Sequence, residues 1–144
     1  MLIGNYLAKL DIHKGRTSLP KIFRQLLGNK IIITAGYEKS LMIVNQNSWQ
    51  KVVGGIVNKP FIFRPARETD RFLLGSAFEV ELDKQGRFII PLSLRKHAGL
   101  SKNIIFIGVG NRIEVWEQVK REKHQQYLKQ NIELISQKLN ETNK

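Results

Sequence analysis

The sequence predicts an α+β fold, mainly β: two tandem β-β-α-β-β units packed as a pseudo-dimer, with peripheral helices and a C-terminal helix. Three observations carry this. Lys14–Arg24 aligns with Gln85–Arg95 at an offset of 71, with Gly15/Gly86, Arg16/Arg87, Pro20/Pro91 and Arg24/Arg95 coinciding and Gly28/Gly99 continuing the match. Phe78, Val80 and Leu82 alternate with Glu79 and Glu81, the period of a half-buried strand. Leu128, Ile132, Ile135 and Leu139 fall on one stripe of a helix. Two copies are too few for an open solenoid, so they are expected to pack on each other.

Each copy reads in the same order. An apolar stretch opens it, Tyr6–Leu10 or Phe78–Leu82. Gly15 or Gly86 then supplies a tight turn, and a short strand follows, Thr17–Leu19 or Phe88–Ile90. Pro20 and Pro91 end the strand and suit the first turn of a helix. The helices are expected over Lys21–Leu27 and Leu92–Ala98, stopped by Gly28 and Gly99. Ile31–Thr34 with Leu41–Val44, and Ile104–Ile107 with Ile113–Trp116, complete the two units. Residues 1–58 therefore form the first unit, 59–73 a linker with a helix, and 74–144 the second unit with the C-terminal helix. Around the linker, Ser48 is the expected N-cap of a helix beginning at Trp49. Pro60 and Pro65 are expected to break the chain before a helical Glu68–Leu74. Helix is expected from about Glu117, fraying over 140–144.

The 144 residues carry 24 Lys+Arg against 12 Asp+Glu, a formal net charge of +12. The excess is concentrated in residues 1–58, with eight Lys/Arg against two acids. It interleaves with apolar patterns instead of forming a tail, so a folded basic surface is expected, with polyanions as partners. There is no Cys, which excludes disulfides and thiolate chemistry. Three widely spaced His (His13, His97, His124) do not suggest a metal site. No apolar run approaches the roughly 18 residues of a membrane span. Met1–Asp11 lacks the basic stretch that opens a secretory signal. The expectation is a cytoplasmic protein with no metal, no cofactor, no small-molecule substrate and no membrane partner.

The candidate chemistry lies in the two Asp…Gly-Arg loops. Asp11-Ile12-His13-Lys14-Gly15-Arg16 and Asp83-Lys84-Gln85-Gly86-Arg87 each put cations at a hairpin tip. There Arg and Lys can meet phosphates, and Arg can pair bidentately with guanine. Lys9, His13, Lys14, Arg16, Lys84 and Arg87 are the candidate DNA contacts. Asp11, Gly15, Asp83 and Gly86 are the candidate loop-structuring residues, because an Asp opening a turn accepts backbone N–H groups. Arg24 and Arg95 read as ion-pairing or capping residues, Lys96-His97 as solvated helix surface, and Trp49 and Trp116 as core anchors.

These motifs resemble the AbrB/SpoVT swapped-hairpin unit. Two such units with Tyr6, Asp11, Gly15-Arg16, Ser18-Leu19-Pro20, Arg71–Ala77, Asp83–Arg87, Ile90-Pro91, Leu94-Arg95 and Ala98-Gly99-Leu100 resemble the MraZ family over about residues 1–135. The resemblance implies that the two units form a pseudo-dimeric double-hairpin barrel, and that the chain is a ring-shaped, nucleoid-associated transcription regulator. It would bind tandem direct repeats upstream of the division and cell-wall gene cluster that includes its own gene. One departure stands out: four residues separate Asp11 from Arg16, against three between Asp83 and Arg87. Two other readings stay open. One is an AbrB-like antitoxin or nonspecific architectural DNA-binding protein. The other is an enzyme using Asp11 and Asp83 as paired carboxylates, which requires each to shift the other's pKa.

Overall fold

A computed structural model describes residues 1–142. The first copy contributes β1 (Leu2–Lys9), β2 (Arg16–Ser18), α1 (Lys21–Leu27), β3 (Lys30–Ala35) and β4 (Leu41–Asn45). A helical hairpin, α2 (Gln46–Val57) and α3 (Arg64–Leu73), leads to the second. That copy contributes β5 (Phe78–Glu81), β6 (Arg87–Ile89), α4 (Leu92–Ala98), β7 (Asn103–Gly110) and β8 (Ile113–Glu117), followed by α5 (Gln118–Thr142). Both short helices have the expected bounds, since a Pro precedes each and a Gly follows it.

The two copies are interleaved. The large sheet runs β1-β7-β8-β4-β3-β5, and β2 pairs with β6 in a separate ribbon. The opening strand of each copy thus pairs with a later strand of the other: Leu2–Lys9 with Asn103–Gly110, and Phe78–Glu81 with Lys30–Ile33. Exchanging each strand for its counterpart in the other copy reverses the sheet order and leaves it unchanged, so the sheet has a pseudo-twofold between β4 and β8. The connecting segments obey the same symmetry. Leu10 N–H donates to Lys102 O at 2.8 Å, and Leu82 N–H to Asn29 O at 2.7 Å. The expected barrel does not close through its ladders: β1 and β5 are sheet edges, and the ribbon forms a ladder with neither.

Equivalent residues of both copies meet in one core: Leu10 and Leu82, Leu19 and Ile90, Phe23 and Leu94, Ile31 and Ile104, Leu41 and Ile113. Burying each such side chain is worth roughly 1.5–3 kcal/mol, and here that gain comes only when the copies are together. Trp116 is buried as expected, whereas Trp49 is half-buried.

Several expectations are corrected. Asn45, not Ser48, caps α2, its side chain accepting Ser48 N–H at 2.9 Å. Pro65 does not break the chain; it lies in the first turn of α3, where a missing N–H costs no helix bond. Lys96 is exposed, but His97 is half-buried. Its ring packs edge-on against Phe72, and Nε2 lies 3.1 Å from Gly36 O. The last helix extends to Thr142, and residues 143 and 144 lie outside the described residues. The start of α5 is fastened: Lys120 Nζ donates to Ala98 O at 3.1 Å, Arg121 to Asn5 Oδ1 at 3.2 Å, and Trp116 packs on His124. Farther along, Ile132 and Leu139 are exposed, so the apolar stripe does not pack on its own domain along its whole length.

Candidate nucleic-acid interface

The β2–β6 ribbon gathers the candidate residues. Its register pairs Arg16 with Ile89, Thr17 with Phe88 and Ser18 with Arg87. Thr17 and Phe88 point inward and are buried, and Thr17 Oγ1 donates to Lys9 O at 2.8 Å. By alternation Arg16, Ser18, Arg87 and Ile89 share the outer face, and all four are exposed. Arg16 and Arg87 are diagonal neighbours across the ribbon, about 7–8 Å apart in such ladders. A two-stranded ribbon is one of the shapes the major groove admits.

Both tips turn through a Gly at φ +76°, Gly15 and Gly86, a conformation only Gly adopts without strain. An arginine side chain also covers each Gly. A Cβ at Gly15 would lie 2.7 Å from Arg95 Cζ, and one at Gly86 would lie 2.2 Å from Arg24 Cδ. The helix arginine of each copy therefore lies on the hairpin of the other. Arg95 donates from Nε to Ile90 O at 2.8 Å and from a terminal nitrogen to Ile12 O at 3.3 Å. It caps carbonyls, as one of the expected roles had it, but in the opposite copy's loop as well as its own strand. Among the described residues Arg24 makes no equivalent bond, and its buried Nε has no hydrogen-bond partner.

The extra residue of the first loop decides how each Asp is used. Asp11 N–H bonds Arg16 O at 2.9 Å, and Asp83 N–H bonds Arg87 O at 3.1 Å, so both arginines start their strands alike. Asp83 Oδ1 accepts Arg87 N–H at 2.8 Å and Gln85 N–H at 2.9 Å, and Oδ2 accepts Arg87 Nε at 2.8 Å. In the longer loop Asp11 Oδ1 instead accepts His13 N–H at 2.9 Å and Lys14 N–H at 3.2 Å. The Arg16 guanidinium has no partner among the described residues.

Both carboxyls are held below their ordinary value. The cause at Asp11 is the N–H groups of Lys14 and His13; at Asp83 it is the Arg87 N–H and then its side chain. Neither shows the raised value that a proton-sharing carboxylate pair needs. Among the described residues no group of three or more His, Asp or Glu could hold a metal ion.

Lys14, His13 and Lys84 are exposed at the tips. Lys9 is exposed but bonded to Asn103. A shallow groove beside the ribbon brings Lys9, Asp11, Arg16, Ser18, Arg87 and Lys102 together. The second side of the ribbon differs: edge strand β5 presents Glu79 and Glu81, both exposed, at positions corresponding to Leu7 and Lys9 of β1.

The family model described as "MraZ protein, putative antitoxin-like" matches the chain twice, over residues 1–72 and 73–143. The chain belongs to the MraZ family. Curated relatives named transcriptional regulator MraZ align along nearly the whole chain. That of Thermoanaerobacter sp. (strain X514) is 36% identical over 99% of both chains. That of Natranaerobius thermophilus is 37% identical over 96% of both, and that of Alkaliphilus oremlandii 42% identical over 86% of both. The double match and the pseudo-twofold describe the same repeat, once in sequence and once in space.

Sequence reasoning missed Ser18, Ile89 and Lys102 as parts of this surface. Alternation about the buried Thr17 and Phe88 would have exposed Ser18 and Ile89. Lys102 had no local signal: it enters because Leu10 of the other copy bonds its carbonyl. Among the described residues no helix is long and apolar enough to cross a membrane.

Proposed function

We propose that the chain is a sequence-specific DNA-binding transcription regulator that lays the β2–β6 ribbon in the major groove, with the first copy leading. Residues 1–58 and 74–144 act as two halves of one reading unit, and 59–73 connects them. The observation that carries the reading is the pair of arginines on one exposed ribbon face, Arg16 without a protein partner and Arg87 bound to Asp83. An unpaired guanidinium keeps its donor fork for guanine O6 and N7. Lys14, His13 and Lys84 at the tips, with Lys9 and Lys102 in the groove, meet phosphates and set register. Asp11, Gly15, Asp83 and Gly86 hold the loops in shape. The protein acts in the cytoplasm on the nucleoid, and its activity requires no catalytic group or cofactor.

The family resemblance extends this to a ring of copies in head-to-tail contact, reading tandem direct repeats in the promoter of its own division and cell-wall cluster. Heterologous contacts close into rings when the rotation permits. Every ribbon then faces the DNA in the same sense, which demands repeats about 10 bp apart, one helical turn.

Titration of a two-repeat duplex by fluorescence anisotropy tests the reading. Direct repeats are expected to bind tightly, and inverting one repeat to weaken binding sharply. Lys14→Ala is expected to weaken every sequence alike and lower the salt slope by about 0.9. Equal affinity for direct and inverted pairs overturns the ring geometry. Equal competition by unrelated DNA favours the architectural or antitoxin-like alternative.

A further inference from the structure

The helical hairpin α2–α3 carries two features that the DNA reading does not use. At its tip Phe61, Ile62 and Phe63 are 77%, 80% and 56% exposed. Single exposed apolar side chains are ordinary, but a contiguous run marks an interaction site. The tip is held in shape. Phe63 N–H donates to Pro60 O at 3.0 Å, and the Arg67 guanidinium donates to Phe61 O at 2.9 Å. Lys59 and Arg64 flank it, exposed and without an ion-pair partner among the described residues.

At the opposite end of the same hairpin lies a cavity of about 440 Å³, within the roughly 300–1,000 Å³ of clefts that enclose drug-sized groups. Met42, Val44, Val52 and Leu73 make its apolar lining, and Glu38 and Glu114 stand among its polar residues. Arg112 also lines it, 3.7 Å from Glu114. Thr34 Oγ1 fixes this end by donating to Leu73 O at 2.6 Å. The tip does not line its own chain's cavity: Ser48 and Val52, the α2 residues that do, precede the helix end at Val57 by roughly 7–14 Å at 1.5 Å per residue.

We propose that the Phe61–Phe63 tip of one copy seats in the α2–β4 cavity of the next. The apolar run meets the apolar lining, and Lys59 and Arg64 approach Glu38. Tip and cavity are different surfaces, so the contact is heterologous and leaves one free tip and one free cavity at the ends of any open chain. This inference rests on the head-to-tail reading above and names the surfaces that make it.

Light scattering on the full chain tests it with two blocked variants. Phe61→Ser/Phe63→Ser removes the tip and leaves the cavity. Val52→Trp fills the cavity and leaves the tip. Each alone is expected to fall to the protomer mass. Their equimolar mixture is expected to give a dimer and nothing larger, because only one tip–cavity contact remains possible. Arg64→Glu, an exposed change that does not threaten folding, is expected to weaken assembly about tenfold, with recovery when Glu38→Lys is added. An unchanged wild-type mass for the tip variant overturns the inference while the oligomer stands. So does a mixture that stays monomeric while each variant keeps the wild-type melting temperature. A monomeric wild type overturns the head-to-tail reading itself. Wild-type binding to vesicles of anionic phospholipid, lost in the tip variant, assigns the tip to a membrane surface and also overturns the inference.

Discussion

The two hairpins share a backbone and differ in chemistry. Both place an Asp opposite the first residue of the following strand, turn through a Gly at φ +76° and receive an arginine from the other copy's helix. One inserted residue separates them. In the short loop Asp83 reaches the N–H and guanidinium of Arg87. In the long loop Asp11 is taken up by His13 and Lys14 N–H groups, and Arg16 has no partner among the described residues. The flanks widen the difference, with Lys9 beside the first hairpin where Glu81 stands beside the second. A duplicated unit thus becomes chemically unequal through loop length as much as through charge: the same Arg has no partner among the described residues in one copy and is bound to its own Asp in the other.

The sharpest way to break this comparison is to remove each arginine in turn. Arg16→Ala is expected to cost roughly 1–3 kcal/mol of DNA affinity and to relax base preference. Arg87→Ala is expected to cost less, because part of its interaction is already made to Asp83. Titrations of both variants on repeat DNA, with assembly checked by light scattering, decide the order. If Arg87→Ala is the more damaging while assembly is intact, the first copy does not lead.

The helix arginines give the next largest effect. Arg95 satisfies Ile90 O and Ile12 O, whereas Arg24 only covers Gly86. The Ile90 bond is part-buried and the Ile12 bond exposed, and losing an ordinary hydrogen bond costs about 0.5–1.5 kcal/mol. Arg95→Gln is therefore expected to lower the melting temperature and loosen the Asp11–Arg16 loop, read by hydrogen exchange at Gly15 and Arg16. Arg24→Gln is expected to do less to the Asp83–Arg87 loop. Equal losses would show that covering the Gly matters more than the carbonyl bonds.

These cross-copy contacts mark the limit of what the sequence could convey. Short-range features were legible: Pro20 and Pro91 before the helices, Gly28 and Gly99 after them, and the alternation through Phe78–Leu82. Each is decided within one turn or strand of its own residues. The start of α2 was misread because Asn45 and Ser48 are both good caps, and the strand geometry before the helix favours Asn45. Partner choice was not legible at all. The pattern of β1 is the same whether it pairs within its copy or with β7. Likewise, Arg24 and Arg95 differ in the structure although they coincide in the repeat. Arg16 was picked out by its motif, but its freedom followed from which amides Asp11 captures, and only the folded loop shows that.

Loop length itself can be edited. Deleting His13 gives the first copy the Asp-x-x-x-Arg spacing of the second. Asp11 is then expected to take the Arg16 N–H and guanidinium, as Asp83 takes those of Arg87. Exposed pairs of this kind are weak, so the deletion is expected to weaken DNA binding by a few-fold, less than Arg16→Ala. Adding Asp11→Asn to the deletion is expected to restore part of the loss. If the deletion leaves affinity and base preference unchanged, the unpaired state of Arg16 is not what gives the first copy its lead.

Acid separates the loops by the smallest effect. Both carboxyls are held below their ordinary 3.8, chiefly by backbone N–H groups. A carboxyl with a depressed folded value supports its loop when ionised. That support is complete above the unfolded value and is lost as pH falls through the folded one. Both loops are therefore expected to be indifferent to pH near neutrality and to loosen only below 3.8. Asp83 accepts three hydrogen bonds, one from a charged guanidinium, and Asp11 accepts two from its loop amides. Charge-assisted bonds are the stronger kind, so the second loop should persist to lower pH. Amide chemical shifts followed from pH 7 to pH 2 would show His13 and Lys14 moving before Gln85 and Arg87. The reverse order would mean that the Arg87 guanidinium does not hold Asp83 in solution, and the main chemical difference between the two hairpins would disappear with it.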